Sequence, residues 1–392
     1  MMRNLNYIFY SFLLICLFSC KTPYSPTPIS TVSNYLVVEG AINISDSTYI
    51  QLSRTVSLSS KSTTKAELNA IVTIESNTGN SYSLAALGGG KYAAPPLNLN
   101  SANQYRLHIK TANGSQYLSD FEETKVTPAI DTLTWQAKDD GLEIYVSTHD
   151  PKNATRYYRW DYTEAWEFHP SFYSGYISNG LQIVPRTPAQ QIWDCFTGDV
   201  SSNITLASSL QLSQDVINQQ LVSIVPQSAE KISVKYSIQV KQYALTKAAY
   251  DYWTLLKKNT EQLGSIFDAQ PSASIGNIHC VNNPSEPVIG YISTGTVTKN
   301  RIFVSNSQLP HWYTQAFYPS CGTDTAWASD SKPPRLTEDK GVNYKSGAYQ
   351  GLGLIPVMPF GTGPVPDGYT VSEPYCVDCT LRGSKTPPSF WK

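Results

Sequence analysis

The sequence predicts a mainly β protein: an N-terminal β-sandwich, then a second β-rich domain with one long helix and a loop-rich C-terminal tail. Three observations carry this. The composition is rich in aromatics and turn formers, with 26 Tyr, 25 Pro and 23 Gly against 3 Met, and only 15% of residues are charged. That profile favours strands and turns over helix. Short segments with period-two alternation recur between Asn, Gly and Ser turns, and only the stretch after Thr246 switches to helical spacing.

The first element is not part of the fold. Residues 1–19 carry one basic residue, Arg3, no acid, an apolar run from Tyr7 to Phe18, and Ser19 just before Cys20. That is the order of a secretory signal, and the run falls short of the roughly 20 apolar residues a transmembrane helix needs. Leu17-Phe18-Ser19-Cys20 resembles the bacterial lipobox, which implies cleavage before Cys20 and lipidation of its thiol; an ordinary signal peptide cut elsewhere is the alternative. Fully acylated, Cys20 would carry more than the two signals needed for stable attachment to a membrane. Residues 20–34, with Pro23, Pro26 and Pro28, read as a Pro/Ser/Thr-rich tether. At roughly 3 Å per residue it reaches about 40 Å from the lipid. No acidic cluster follows Cys20, so the leaflet stays open.

Once residues 1–19 are removed, 28 basic side chains face 30 acidic ones. Near neutrality argues against nucleic acid as a partner.

Residues 35–125 read as the sandwich. Tyr35–Gly40, Tyr49–Leu52, Ala70–Ile74, Tyr82–Leu84 and Tyr105–Ile109 are its strands. In the last, Tyr105, Leu107 and Ile109 face one way and Arg106, His108 and Lys110 the other. His108 therefore reads as solvated surface. The pattern resembles small immunoglobulin- or transthyretin-like modules of cell-surface proteins.

Phe121–Ala129 reads as the junction to a second domain, residues 126–392. Leu133 and Trp135, then Leu142, Ile144 and Val146, alternate with polar residues. In the next strand Tyr158, Trp160, Tyr162, Trp166 and Phe168 share one parity, and Arg159, Asp161, Thr163 and Glu167 the other. The apolar set is one wall of an aromatic core. Glu164 falls on that apolar parity. It is either paired inside the fold, the favoured reading for a buried acid, or a candidate ligand-facing carboxylate beside aromatic walls. Ile232, Val234, Tyr236, Ile238 and Val240 alternate with Ser233, Lys235, Ser237, Gln239 and Lys241 in a strand with one wet face. Thr246 then caps a helix over about 247–263 that ends at Gly264. Ala249, Trp253, Leu256, Thr260 and Leu263 form its apolar face, so Trp160 and Trp253 are expected in one core.

The tail from Ser305 is dense in Gly and Pro, and its core is too thin to hold without cross-links. Cys195, Cys280, Cys321, Cys376 and Cys379 are available for them. Cys376-x-x-Cys379 has the spacing of a redox motif or half a zinc site. It lies beside Pro374 without a βα context, and the five His show no paired spacing. Structural disulfides are expected, with Cys376 and Cys379 oxidised, at least one of them to Cys195 or Cys321, and Cys280 left as the free thiol. No nucleophile elbow, zinc-protease motif, phosphate loop or dinucleotide fingerprint occurs. No cofactor, metal or catalytic residue is expected.

Tyr157–Glu164, Lys235–Ile238, Tyr250–Trp253, Gly264–Asp268 with Gln270-Pro271, Gly276–Ile278, Cys376–Cys379 and Phe390-Trp391 together resemble the domain-of-unknown-function 4249 lipoproteins. The resemblance implies an outer-membrane lipoprotein of the Bacteroidota, often encoded beside a TonB-dependent receptor, and brings no catalytic residues with it. The expected function is that of a non-enzymatic accessory partner of such a receptor in nutrient capture or uptake. A stand-alone surface protein binding glycans or peptides is the alternative, and a hydrolase using Glu164 stands behind both.

Overall fold

The computed structural model describes residues 34–56, 64–178, 183–261, 276–314, 317–327, 353–364 and 366–392. The signal segment, Cys20, the tether up to residue 33 and the expected helix stop at Gly264 lie outside the described residues. The early strands are β1 (Leu36–Asn43), β2 (Thr48–Arg54), β3 (Lys65–Ala66), β4 (Ile71–Ser76), β5 (Ser81–Ser83), β6 (Ala85–Gly88), β7 (Lys91–Ala94), β8 (Gln104–Lys110), β9 (Gln116–Ser119) and β10 (Glu122–Glu123). Then come β11 (Ile130–Lys138), β12 (Gly141–His149), β13 (Tyr157–Phe168), β14 (Tyr176–Ser178), β15 (Ile183–Pro185), β16 (Cys195–Val200), β17 (Thr205–Ser208), β18 (Val216–Pro226) and β19 (Lys235–Ala244). Helix α1 (Lys247–Glu261) precedes β20 (Ile278–Cys280), β21 (Ser293–Gly295) and β22 (Val297–Ser305). The tail holds β23 (Asp324–Trp327), β24 (Ile355–Phe360), β25 (Gly368–Ser372) and the short helix α2 (Pro374–Val377).

The sandwich packs sheet β21-β1-β2-β7-β6 on sheet β20-β9-β8-β4-β5, with β3 and β10 as appendages. Period-two alternation fills its core: Leu36, Val38, Ile50 and Leu52 from one sheet meet Val72, Ile74, Tyr105, Leu107 and Ile109 from the other. Two of its strands come from elsewhere in the chain. β21 runs parallel to β1 and β20 pairs with β9, so the sandwich read as residues 35–125 also takes in the segment around 277–295. The chain leaves the sandwich, builds most of the second domain, and returns. His108 keeps its polar-face parity but is not simply solvated: its Nδ1 lies 2.8 Å from Glu75, which also holds Arg106 at 2.7 Å.

In the second domain, sheet β11-β12-β18 packs on sheet β16-β13-β19-β22, where β17 also pairs with β13. Leu142, Ile144 and Val146 meet Tyr158, Trp160, Tyr236, Ile238 and Val240, all fully buried. The buried Gln242 accepts from Trp160 Nε1 at 2.9 Å and donates to Pro128 O and Thr148 Oγ1 at 3.0 Å, so this core encloses one amide with its bonds made. The strand expected from Ile232 begins at Lys235. Glu230–Ile232 form a 3-10 turn, and Ile232 is buried all the same.

Sheet β23-β25-β24 forms a small core with Ile183 from the β14–β15 hairpin. Disulfides Cys195–Cys379 and Cys321–Cys376 fasten the tail, and Cys280 is a buried free thiol. Each half of the Cys-x-x-Cys pair is thus bonded to a distant cysteine. Among the described residues no helix is long and apolar enough to cross a membrane.

Candidate functional site

The outward face of β13, β19 and β22 carries the polar parity of all three strands. Strand register places Arg159, Tyr243 and Val297 in one row, Asp161, Lys241 and Lys299 in the next, and Thr163, Gln239 and Arg301 in the third. The far end of this face is closed by the end of the chain. Trp391 packs edge-on against Phe196 at 5.2 Å and Phe303 at 5.6 Å, and the Arg301 guanidinium sits 3.6 Å over Phe390. The first two rows stay open and become the floor of a cleft.

The sandwich supplies the facing wall. Glu39 and Gly40 come from β1, Asp46 and Ser47 from the turn that follows, and Tyr49, 63% exposed, from β2. Gly40 has φ +138, and a Cβ there would stand 2.4 Å from Tyr49 O, so glycine lets the β1 backbone pass this close to β2. Helix α1 supplies the side wall. Thr246 Oγ1 accepts the Ala249 N–H at 3.2 Å, which makes the expected N-cap. The helix meets the domain differently from the expectation, because Ala249 and Tyr252 are its buried residues and Thr260 is exposed. Trp253 is therefore not in the Trp160 core. It is half-buried, in a separate cluster under the helix, and it lines the cleft. The Val200–Ile204 loop forms the end wall and is tied to the helix by Lys257 Nζ donating to Ile204 O at 2.7 Å and by the Ile204 N–H donating to Glu261 at 2.6 Å.

Two adjoining chambers result, each about 490 Å³, sharing Glu39, Arg159, Asp161, Lys241 and Trp253. Arg159 is fixed between two rings, 4.3 Å from the Tyr243 centroid and 4.4 Å from that of Trp253, with Asp161 3.3 Å from Nη2. Its buried Nε–H has no acceptor among the described residues. Burial pushes the Tyr243 phenol far above its usual range, with the Asp161 charge and a hydrogen bond to that carboxylate adding to the effect, so this hydroxyl stays protonated. Across the cleft mouth Lys299 Nζ meets Asp46 at 2.6 Å.

Glu164 is placed elsewhere. It is 7% exposed and accepts from Lys231 Nζ and, at 2.5 Å, from the Tyr236 hydroxyl, while Lys231 rests 5.0 Å over the Trp166 ring. The carboxylate is consumed by an internal ion pair and lines neither chamber, which removes it as the candidate ligand-facing residue. Glu167, His169 and Asp194 bring ligand-type atoms together. His169 is already paired with Asp194 at 2.9 Å and stacked on Trp193 at 4.5 Å, which accounts for the grouping.

The sequence identified the wet face that carries Arg159, Asp161 and Lys241 but not the cleft. Pairing that face with Glu39 depends on the chain's return to the sandwich, and local periodicity carries no signal for that.

No curated protein matches this sequence. Among solved structures, a two-domain fibronectin type-III segment of chicken tenascin is 13% identical, covers 54% of this chain and 92% of its own, and has a TM-score of 0.15. The manganese lipoxygenase of Gaeumannomyces graminis, solved with a partial zonadhesin of Komagataella pastoris, is 9% identical over 56% of this chain and 91% of that one, with a TM-score of 0.17. Scores that low carry no argument. A family model described as "Domain of unknown function (DUF4249)" matches residues 21–301, from just after Cys20 to the middle of β22 and with it every residue named in the cleft; the chain belongs to that family.

Proposed function

We propose that this protein is a lipid-anchored, non-enzymatic outer-membrane protein that captures a nutrient molecule in the cleft and serves a TonB-dependent receptor as an accessory partner. The cleft carries the reading. Each chamber has the volume typical of small-molecule sites, and the lining combines aromatic surface with a few fixed polar groups. Glu164, on which a hydrolase would have rested, is held in its ion pair. The lipobox-like run that ends in Cys20 supports the location, and confinement to a membrane would let a weak interface meet its partner at high effective concentration. The receptor itself is implied by the genomic habit of the family that the sequence resembles.

A stand-alone binding protein is the second reading, favoured by Trp253 facing the cleft instead of the Trp160 core. Affinity purification of the tagged protein from detergent-solubilised membranes separates the two. Recovery of a receptor, with reduced nutrient uptake in a deletion strain, is the expected outcome. Recovery of the lipoprotein alone, with unchanged uptake, favours the second. In the same strain Cys20→Ala should give an uncleaved or soluble form; a variant that still fractionates as a processed, detergent-requiring lipoprotein rules out the anchor.

A further inference from the structure

The charges that line the cleft do not all cancel internally. Three cations and three anions face it: Arg159, Lys241 and Lys299, against Glu39, Asp46 and Asp161. Arg159 takes Asp161 at 3.3 Å, and Lys299 takes Asp46 at 2.6 Å. Lys241, half-buried, and Glu39, exposed, remain, one of each sign, with no side-chain hydrogen bond or ion pair between them or to any other described residue. Both belong to the part common to the two chambers. They come from different domains, Lys241 from the floor strand β19 and Glu39 from β1 of the sandwich wall.

From this leftover pair we infer that the cleft takes a zwitterionic ligand, a short peptide with free termini, its carboxylate seated on Lys241 and its ammonium on Glu39. The inference deepens the capture function proposed above and rests on it. A neutral sugar would leave both charges to solvent alone, whereas a peptide supplies a counter-charge for each, and charge complementarity of this kind sets specificity more than raw affinity. The rest of the lining suits a peptide backbone. The Arg159 guanidinium is fixed between rings with its buried Nε–H unpartnered among the described residues, and Tyr49 and Trp253 offer apolar faces for side chains. The chambers together hold several residues of peptide.

The test uses the full lipidated protein in detergent and a panel of tripeptides with Ala, Phe or Asn at the centre. Each is prepared free, N-acetylated, C-amidated and doubly blocked, with maltotriose as the neutral sugar, and binding is read by calorimetry and Trp fluorescence. Free peptides should bind. Blocking either terminus should weaken binding roughly tenfold, as expected for about 1.4 kcal/mol per lost ion pair. Lys241→Ala should abolish the distinction between free and amidated peptides, and Glu39→Gln that between free and acetylated ones. Lys241→Arg should restore most of the first. If maltotriose binds and no peptide does, the zwitterion assignment is overturned and the cleft keeps its capture role. If blocked and free peptides bind alike, the roles of Lys241 and Glu39 are overturned. If neither class binds and Trp253→Ala leaves nutrient uptake unchanged, the capture function falls as well.

Discussion

Lys299 Nζ lies 2.6 Å from Asp46 Oδ2, joining residues 253 positions apart across the mouth of the cleft. The hydrogen bond from Lys299, aided by the Ser47 N–H, holds Asp46 below the usual carboxylate range. A depressed folded pKa stabilises the fold above the unfolded value, and that contribution is lost as pH falls through the folded value. Solvent screens the pair, whose side chains are 39% and 47% exposed. Lys299→Ala should therefore cost less than about 1 kcal/mol in a urea titration near neutral pH. A cost well above that would mean that the bridge is desolvated and holds the domains together.

Trp160 and Trp253 should separate in the same measurement. Trp160 is 1% exposed at the centre of the second-domain core, and its Nε1–H satisfies Gln242. Trp160→Ala leaves both a cavity and an unpaired buried amide oxygen, so it should cost about 3 to 5 kcal/mol. Trp253 gives one face to Arg159, meets Tyr252 edge-on at 5.7 Å and lines the cleft. Its truncation should cost about 1 to 2 kcal/mol, the scale of a partly desolvated cation–π contact, and should weaken ligand binding. Equal costs would return Trp253 to the core.

Much of the fold was legible wherever a strand has one dry face. Tyr105-Arg106-Leu107 and Tyr158-Arg159-Trp160 announce both register and burial, and the exchange of Thr246-Lys247 into helical spacing announces α1. The short strands β6 and β7 were not legible, because Ala85–Gly88 and Lys91–Ala94 are small or Gly-flanked and their pairing is set by β2. The Trp253 orientation was missed because two apolar faces of one helix compete, and only the docked sheet decides between Tyr252 and Trp253. The site was half legible. Alternation displays Lys241 and Arg159 on a polar face, but nothing local brings Glu39 opposite them.

The tail depends on its cross-links. Cys195 and Cys379 stand 184 residues apart, and the bond between them holds the chain end against β16. Replacing both by Ala should cost about 2 to 5 kcal/mol. It should also loosen the Phe390–Trp391 cover, seen as faster amide exchange over β22. In non-reducing peptide maps the Cys195–Cys379 and Cys321–Cys376 links should appear, with Cys280, 2% exposed, alkylated only after denaturation. Rapid labelling of Cys280 in the native protein would contradict its place in the sandwich core.

Glu122 gathers the segments that make the chain's detour possible. It is 8% exposed, and it accepts from the Tyr291 hydroxyl at 2.6 Å, Asn277 Nδ2 at 3.2 Å and Thr246 Oγ1 at 3.4 Å, so the junction, the returning segment and the cap of α1 meet on one carboxylate. Burial raises its pKa above the ordinary 4.5 and outweighs the three hydrogen bonds, which pull the other way. The sign follows from proton counts. Between 4.5 and the raised folded value the native state binds more protons than the unfolded chain, so stability falls as pH rises through that window. Glu122→Gln removes this component, although the amide accepts fewer of the three donors and should lower stability at acidic pH. The stability advantage of wild type over the variant should therefore shrink as pH rises from 4.5 through the raised folded value, measured as paired denaturation midpoints. Parallel profiles would show that Glu122 titrates like an exposed carboxylate, and that its hydrogen bonds to Tyr291 and Asn277 are not what holds the returning segment to the sandwich.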